Sequence, residues 1–206
     1  MTEKEKMLNG KIYDPSNPEL FELRRKAHIL CKQYNDTTED MTEERNRILS
    51  AFFPNVSEKN IYLQGPIFFD YGVFTQLGKN FYANFNFTVL DVCPVTIGDN
   101  VFVGPNVSIL TPKHPLDYHD RNQYVNAAGC ITDREYGAPI TIGDNCWIAG
   151  NVTILAGAKI GAGSVIGAGS VVAGEIPPNS VAYGNPCRVV RKITESDRLA
   201  NKPELF

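Results

Sequence analysis

Aliphatic residues recur at every sixth position over residues 142–172, and this period restricts the possible folds more than any other feature of the chain. The repeating residues are Ile142, Ile148, Ile154, Ile160, Ile166 and Val172. An α-helix repeats its buried face every ~3.6 residues and a half-buried strand every ~2, so neither explains the spacing. A solenoid with three short strands per coil does, because each strand and corner contributes one inward side chain. The period therefore predicts an all-β fold, a parallel β-helix.

The same spacing, interrupted by slips, extends back to Ile61 and predicts about five coils. The inward residues that we expect, coil by coil, are Ile61, Ile67 and Val73; Leu77, Ala83 and Val89; Ile97, Val103 and Ile109; Ile142, Ile148 and Ile154; Ile160, Ile166 and Val172. Stacked at the strand separation of about 4.8 Å, these coils give a column roughly 20–25 Å tall. We assign the solenoid to residues 61–190.

Residues 1–60 lack the period of six and instead predict two helices. Asn17 is a suitable N-cap for a helix from Pro18 to Tyr34, because asparagine caps helices and proline is tolerated in the first turn. A second helix is expected from Thr42 to Phe53, with Pro54 as its terminator. Helices this short are marginal alone. We therefore expect a helical cap packed on the solenoid or on a neighbouring subunit.

Between residues 110 and 138 the periodic pattern vanishes, which predicts an excursion loop from the solenoid. Its polar and charged residues include His114, Asp117, His119, Asp120, Arg121, Asp133, Arg134 and Glu135. Long loops of this kind in compact proteins are usually functional or disordered. Two prolines and several aromatic residues favour an ordered, functional loop. Residues 191–206 are expected to form a polar C-terminal tail.

Composition excludes several classes of protein. The formal net charge is -3, so the chain has no basic field for nucleic acid. The five cysteines form no CxxC pair, which argues against a zinc knot or a disulfide framework. The first residues, MTEKEKMLNGK, contain no apolar signal core, and no apolar run is long enough to span a bilayer. We expect a cytoplasmic protein that binds neither nucleic acid nor membrane.

Metal binding is also not expected, because the sequence has only three histidines. Hexapeptide-repeat carbonic anhydrases present three histidines from the stack itself. Here His28 lies on a predicted helix, whereas His114 and His119 lie in the excursion loop.

Two residues are candidates for chemistry near the solenoid. His114 stands where the chain leaves the repeat, and imidazole is suited to removing a proton from a hydroxyl or amine near neutral pH. The alternative is a loop histidine without a role. Asn84 can donate and accept hydrogen bonds, so it could hold a substrate hydroxyl or stabilise an oxyanion. Alternatively, it occupies a solenoid corner, where asparagine tolerates left-handed torsions.

Further candidates lie at the two ends of the chain. Asp14 and Arg24 are residue types that bind sugar hydroxyls, although they could equally form a solvated surface pair. Arg188 and Arg191 follow the last coils, where they could meet phosphates. Small residues such as Ala168 leave room beside the stack, or they simply satisfy tight packing.

Five segments together resemble the maltose and galactoside O-acetyltransferases over nearly the whole chain. They are Tyr13–Pro15, Asn80–Asn86, Lys113–Pro115, Pro139–Ile148 and Gly184–Arg188. The resemblance implies a left-handed coil, which the general preference for right-handed crossovers could not predict. It also implies transfer of acetyl from acetyl-CoA to a sugar hydroxyl, usually the 6-hydroxyl, by a homotrimer with active sites between subunits.

The resemblance also assigns roles to individual residues. His114 matches the catalytic histidine and Asn84 the acceptor-site asparagine, with Tyr82 beside it. Asp14 and Arg24 match substrate-contacting positions in the cap. Glu135 is expected to orient His114 or to bind the substrate. The implied CoA contacts are Trp147, Ala149, Gly150, Ala168 and Arg188, and Arg191 is expected to assist with the phosphates.

The implied chemistry is direct transfer in a ternary complex, with His114 accepting the hydroxyl proton and no acyl-enzyme on cysteine. Two features depart from the family pattern. Ala173-Gly174 replace a frequent Thr-Lys pair that helps to hold CoA, and the segment from Gln123 to Arg134 is longer than usual. Two alternatives therefore stay open. One is a related acetyltransferase for an amino sugar, an amino acid or a xenobiotic, and the other is a non-catalytic trimeric scaffold.

Overall fold

The computed structural model describes residues 1–53 and 59–205, and a three-faced parallel solenoid forms most of it. With strands numbered in chain order, face 1 contains β1 (Tyr62–Leu63), β4 (Tyr82–Ala83), β7 (Phe102–Val103), β14 (Trp147–Ile148), β17 (Val165–Ile166) and β20 (Ser180–Tyr183). Face 2 contains β2 (Ile67–Phe69), β5 (Phe87–Leu90), β8 (Ser108–Leu110), β15 (Thr153–Leu155) and β18 (Val171–Val172). Face 3 contains β3 (Thr75–Leu77), β6 (Val95–Ile97), β13 (Ile140–Ile142), β16 (Lys159–Ile160) and β19 (Glu175–Ile176).

The predicted parallel β-helix is confirmed. Within the described residues it has five complete coils and a sixth strand on face 1, one strand more than expected. The antiparallel strand β21 (Arg188–Lys192) then pairs with β20 and closes the last coil. Inward residues stack in register from coil to coil, as Leu63, Ala83, Val103, Ile148, Ile166 and Ala182 do on face 1. All six are buried and belong to one continuous core.

The predicted first coil is wrong in its register. Val73 was expected inside but is 49% exposed, whereas Leu77 is buried on face 3. The corner between Phe69 and Leu77 is two residues longer than the repeat allows, so a step of six from Ile67 ends in that corner. Ile61 is buried but precedes β1, and Leu63 occupies its expected place opposite Ala83.

Two columns of asparagine mark the corners on either side of face 1. Asn80, Asn100 and Asn145 have positive φ, between 54° and 58°, and their side-chain amides are hydrogen-bonded to one another at 2.9 and 3.1 Å. A second column comprises Asn86, Asn106 and Asn151, linked at 2.8 and 3.1 Å. Asparagine suits these corners because its short polar side chain tolerates the left-handed region and also bonds along the stack.

The described part of the cap contains three helices: α1 (Glu3–Leu8), α2 (Pro18–Asn35) and α3 (Thr42–Leu49). The predicted α2 is confirmed, and Asn17 caps it by accepting from the Glu19 amide at 3.0 Å. The predicted second helix was too long, since α3 ends at Leu49 and Phe52 and Phe53 are buried beyond it. Its expected terminator, Pro54, lies outside the described residues.

Helix α1 was not predicted, although Thr2 and Glu5 form a capping box that the sequence contains. Within the described ranges, no helix combines the length and apolar character that a membrane crossing requires.

The excursion loop forms short elements of secondary structure. It contains β9 (Pro112–Lys113), α4 (Tyr118–Arg121), β10 (Tyr124–Val125), β11 (Ile131–Thr132) and β12 (Tyr136–Gly137). The tail contains three short 3-10 helices: Glu195–Asp197, Leu199–Asn201 and Pro203–Leu205.

A buried aspartate connects the solenoid to the cap. Asp91, in the corner after β5, accepts hydrogen bonds from the backbone amides of Tyr71 and Gly72 at 2.8 and 3.1 Å and from Thr75 Oγ1 at 3.0 Å. Tyr71 in turn accepts a hydrogen bond from Arg24 of α2. Burial raises the pKa of Asp91 to about 6, because these three donors only partly offset the loss of water.

This raised pKa predicts a pH-dependent stability. As pH rises through about 6, the folded protein must ionise a buried group that the unfolded chain has already ionised, so the free energy of unfolding falls. Between pH 5 and pH 7, we expect the free energy of unfolding to fall by about 1 kcal/mol less in Asp91→Asn than in the wild-type protein. Urea unfolding at both pH values measures it, with Asp99→Asn, at another solenoid corner, as the matched control. An unchanged pH slope in Asp91→Asn would contradict the assignment.

Candidate active site

The excursion loop folds back on itself where it leaves the solenoid. Strands β9 and β12 are antiparallel, with Lys113 opposite Tyr136. His114 directly follows β9 and Glu135 directly precedes β12. These two residues therefore face each other across the strand pair. Strands β10 and β11 form a separate hairpin, residues 124–132, which we call the loop hairpin.

His114 lies beside two carboxylates, and we call these three residues the His114 group. One ring nitrogen of His114 and one carboxylate oxygen each of Asp133 and Glu135 lie within 4.8 Å of one another. His114 is exposed, and its Nδ1 lies 3.3 Å from the carbonyl oxygen of Arg134. Because a carbonyl can only accept, this contact assigns the proton of neutral His114 to Nδ1. Nε2 is then left as the basic nitrogen.

Glu135 is largely buried behind His114. Burial raises the pKa of Glu135 above its ordinary value, although a hydrogen bond with the Tyr13 side chain and the nearby His114 oppose this. Tyr13 also pairs with Glu135 through its backbone, since its amide donates to the Glu135 carbonyl oxygen at 3.0 Å. Burial, followed by the Glu135 charge, raises the pKa of the Tyr13 hydroxyl. Tyr13 therefore connects the cap directly to the His114 group.

A cavity of about 430 Å³, which we call the cap cavity, opens between the cap and the loop hairpin. Its lining residues are Pro15, Ser16, Phe21, Arg24, Asp70, Gln123, Ile131, Thr132, Asp133 and Glu135. Asp133 and Glu135 thus belong both to the cavity and to the His114 group. A polar cavity next to a basic histidine is suited to a small hydroxylated or amine-bearing molecule.

Arg24 projects from α2 into the wall of this cavity. Its Nη1 donates to the Tyr71 hydroxyl at 3.1 Å and its Nη2 to the Pro15 carbonyl oxygen at 3.3 Å. Burial raises the pKa of the neighbouring Asp70 carboxyl above its ordinary value, although the nearby side chains of His28 and Arg24 oppose this. Arg24 and Asp70 thus both line the cap cavity, and the contact of Arg24 with a substrate stays a prediction.

Asp14 has a structural task in this chain. Its Oδ1 accepts from the Ser16 amide at 2.9 Å, the Ser16 hydroxyl at 2.7 Å and the Thr132 hydroxyl at 2.6 Å, and its Oδ2 accepts from Asn126 at 2.8 Å. Partial burial acts against ionisation, but together these hydrogen bonds lower the pKa of Asp14 to about 2. Asp14 thus fastens the cap to the loop hairpin, and its contact with a substrate stays a prediction.

Asn84 and most of the predicted CoA contacts share one edge of the solenoid. The residues that follow the inward position of face 1 in five successive coils are Asn84, Gly104, Ala149, Gly167 and Tyr183. Gly150 and Ala168 are the next residues on the same edge, between faces 1 and 2. Asn84 is half-buried and does not have positive φ, so the corner positions belong to Asn80 and Asn86 instead.

Aromatic side chains cover the outside of face 1 next to this edge. Tyr62 and Tyr82 stack with ring centroids 5.9 Å apart, and Phe102 lies 6.0 Å beyond Tyr82. Trp147 is in register with Phe102 in the following coil. Tyr82 and Trp147, predicted to contact acceptor and CoA respectively, are therefore members of one exposed aromatic column.

The two predicted arginines have different surroundings. Arg188 lies on β21 opposite Tyr183, and among residues 1–53 and 59–205 its guanidinium donates only to the neighbouring Cys187 carbonyl oxygen, at 2.9 Å. Arg191 forms a bidentate pair with Asp197 at 2.7 and 2.8 Å. Arg188 is thus the more available cation beside the edge, whereas Arg191 would have to leave Asp197 to meet a phosphate.

The structure does not bring Asn84 and His114 together within one chain. Asn84 lies on the edge between faces 1 and 2, whereas the excursion loop leaves the far end of face 2 after Leu110. The three residues of β8 alone separate the two edges by about 10 Å. The cap cavity also includes neither Asn84 nor Tyr82.

Comparisons with known proteins identify the family. Residues 6–57 match the maltose acetyltransferase hexapeptide capping motif, and residues 139–174 match the bacterial transferase hexapeptide repeats. The galactoside O-acetyltransferase of Escherichia coli is 39% identical over 94% of this chain and 92% of that protein. The chain belongs to the maltose and galactoside O-acetyltransferase family.

Solved structures of this family have the same fold. A galactoside acetyltransferase in complex with coenzyme A superposes with a TM-score of 0.83 and 37% identity, covering 96% of this chain and 94% of that one. A maltose O-acetyltransferase from Clostridium difficile 630 gives a TM-score of 0.79 and 44% identity, covering 95% of this chain and 99% of that one.

Family resemblance alone missed several residues of the cap cavity. Asp133 and Asp70 were not proposed as site residues, although both line the cavity. Asp133 offered one signal, since it stands two residues before Glu135 and therefore on the same side of an extended strand. Asp70 and Tyr71 offered none, because only the packing of α2 on the solenoid brings them to Arg24.

Proposed function

We propose that this acetyltransferase transfers the acetyl group of acetyl-CoA to a hydroxyl of a small sugar, with His114 as the general base. The observation that carries the proposal is the His114 group itself. His114, with Nε2 as its basic nitrogen, lies beside Asp133 and Glu135, and these two carboxylates line a polar cavity together with Arg24. Carboxylates and guanidinium groups are the usual polar contacts of sugar hydroxyls. Relatives that act on galactosides or maltose by name support the same class of acceptor.

His114 moves the proton in this proposal. Nε2 accepts the proton of the acceptor hydroxyl as its oxygen attacks the thioester carbonyl carbon. The resulting imidazolium then returns the proton to the departing thiolate sulfur as the tetrahedral intermediate collapses. Glu135 stabilises the imidazolium from its buried position, and the Arg134 carbonyl oxygen keeps Nδ1 protonated and the ring oriented.

The proposed acetyl-CoA contacts lie along the edge between faces 1 and 2. Small residues there, Ala149, Gly150 and Ala168, leave space beside the exposed Trp147 ring. Arg188 supplies a guanidinium near the same edge, bonded to the neighbouring Cys187 carbonyl oxygen. The missing lysine at Ala173-Gly174 therefore leaves Arg188 as the principal phosphate contact, with Arg191 as a second. Solved relatives with CoA or acetyl-CoA bound support this co-substrate.

We propose a homotrimer, and the separation of the proposed acceptor groups supports active sites shared between its subunits. Asn84 and His114 lie on different edges of one solenoid, so both can contact one acceptor only if they come from neighbouring subunits. The aromatic column of face 1 supports such packing, because Phe102 and Trp147 are 56% and 54% exposed in the single chain. Apolar surface of this kind usually marks an interaction site. We therefore place each active site between the excursion loop of one subunit and the Asn84 edge of the next.

A panel of acceptors tests the proposed function. Release of CoA thiol from acetyl-CoA is measured with glucose, maltose, a galactoside, glucosamine, serine and chloramphenicol. We expect turnover on the neutral sugars. Turnover confined to the amines or to chloramphenicol would replace the acceptor, and no thiol release without CoA binding by calorimetry would indicate a non-catalytic scaffold.

A further inference from the structure

The His114 group has the composition of a transition-metal site. We propose that His114, Asp133 and Glu135 bind a divalent transition-metal ion, with Zn²⁺ as the representative, and that the bound ion blocks acetyl transfer. Binding stands on the geometry alone, whereas the inhibition rests on the proposed function of His114. The ion is an inhibitor in this proposal and takes no part in the reaction.

Strand pairing places the three ligands on one side of the excursion loop. His114 follows Lys113, Glu135 precedes Tyr136, the residue paired with Lys113, and Asp133 lies two residues before Glu135. The three candidate ligand atoms are all within 4.8 Å of one another. Ligands about 2.0–2.2 Å from a tetrahedral zinc lie about 3.4 Å apart, so a closure of at most about 1.4 Å suffices. Side-chain rotation of an exposed histidine can provide it.

The hydrogen bonds around the group leave suitable lone pairs free. The Nδ1 contact of His114 with the Arg134 carbonyl oxygen leaves Nε2 to bind the ion. Metal-bound histidines commonly donate their other ring N–H to a backbone carbonyl in this manner. Asp133 Oδ1 is buried and has no hydrogen-bond partner among residues 1–53 and 59–205. A buried carboxylate oxygen without a donor favours a cation beside it.

Charge also favours a divalent ion at this position. Asp133 and Glu135 carry two acidic side chains, and the intervening Arg134 turns away from them. Its guanidinium lies over the Tyr124 ring at 4.8 Å and 3.8 Å from Asp120. The mixed set of one imidazole and two carboxylates suits first-row transition ions, whereas Mg²⁺ prefers an octahedral shell of oxygen atoms.

Calorimetric titration of the full chain with ZnCl₂ tests the binding. The titration uses a Cys130→Ser background, because Cys130 is an exposed thiol on the loop hairpin. We expect one ion per chain, no binding of Mg²⁺, and at least about tenfold weaker Zn²⁺ binding in Asp133→Asn. Asp120→Asn changes a carboxylate of the same loop outside the group and should leave Zn²⁺ affinity unchanged. His114→Gln provides a second ligand variant, and circular dichroism checks that each variant is folded.

The inhibition is measured separately, by mass spectrometry of acetylated product, since Zn²⁺ would also bind the CoA thiol. We expect Zn²⁺ to inhibit the Cys130→Ser protein and EDTA to reverse it. Saturable zinc binding without effect on turnover would overturn the inhibition. The metal site would be refuted if no stoichiometric zinc binding were observed, or if Asp133→Asn and His114→Gln left the zinc affinity unchanged. A protein that binds zinc but acetylates no acceptor would instead refute the proposed function and leave the metal site standing.

Discussion

Replacement of His114 by alanine is expected to lower kcat for acetyl transfer by at least about a hundredfold, the usual scale for a lost general base. The reason is that Nε2 of His114 is the basic nitrogen beside Asp133 and Glu135, which line the cap cavity, whereas Nδ1 is committed to the Arg134 carbonyl oxygen. Initial rates of thiol release at saturating acetyl-CoA and sugar measure the effect. The KM for acetyl-CoA should change little, because the proposed CoA contacts lie on another edge.

His119→Ala is the matched control for this variant. His119 is also an exposed histidine of the excursion loop, but its Nδ1 is hydrogen-bonded to Asp117 at 2.8 Å and it lies outside the His114 group. We expect this variant to retain near-normal turnover. Near-normal activity in His114→Ala would remove His114 from the mechanism.

Two inactive variants should restore each other's activity when their subunits are mixed. His114→Ala and Asn84→Ala each damage the active site, but from different edges of the solenoid. In a cyclic trimer with shared sites, a random equal mixture gives about a quarter of sites with both residues intact. Co-refolding or co-expression of the two variants should therefore recover about a quarter of wild-type turnover, starting from a loss of at least about tenfold in each parent.

A mixture of His114→Ala with Glu135→Gln is the control. These two residues face each other within one excursion loop. Every subunit of the mixture therefore lacks one of them, and no site has both residues intact. This mixture should stay at the level of its parents. If the His114 and Asn84 variants also fail to complement, their side chains do not meet across a subunit boundary, and the proposed arrangement of the trimer is wrong.

Much of the fold could be predicted from the sequence because the solenoid repeats a single packing problem. Each inward residue from Ile142 to Val172 packs against equivalent aliphatic residues in the coils above and below it. One period therefore describes this part of the core. Corners are less constrained, since their length can vary without disturbing the stack of inward side chains. The lengthened corner before Leu77 therefore misplaced Val73, although the strands on either side were recognised.

The site was less predictable, because its geometry depends on partners that are distant in sequence. Residue types identified His114 and Arg24, and both lie at the cap cavity or beside it. The four hydrogen bonds that the Asp14 carboxylate accepts come from Ser16, Asn126 and Thr132. Asn126 and Thr132 are more than a hundred residues away in sequence. Only the three-dimensional pairing of cap and loop hairpin shows that this carboxylate is already committed.

Acetylation of a sugar by His114 is tested most directly by the carbon-13 NMR spectrum of glucose after incubation with the protein and carbonyl-labelled acetyl-CoA. We expect a labelled acetyl ester on a sugar hydroxyl, with the 6-hydroxyl as the expected position, and no such signal with His114→Ala. A label found only on the nitrogen of an added amino sugar would refute transfer to a sugar hydroxyl, and an ester formed equally well by His114→Ala would refute the role of His114.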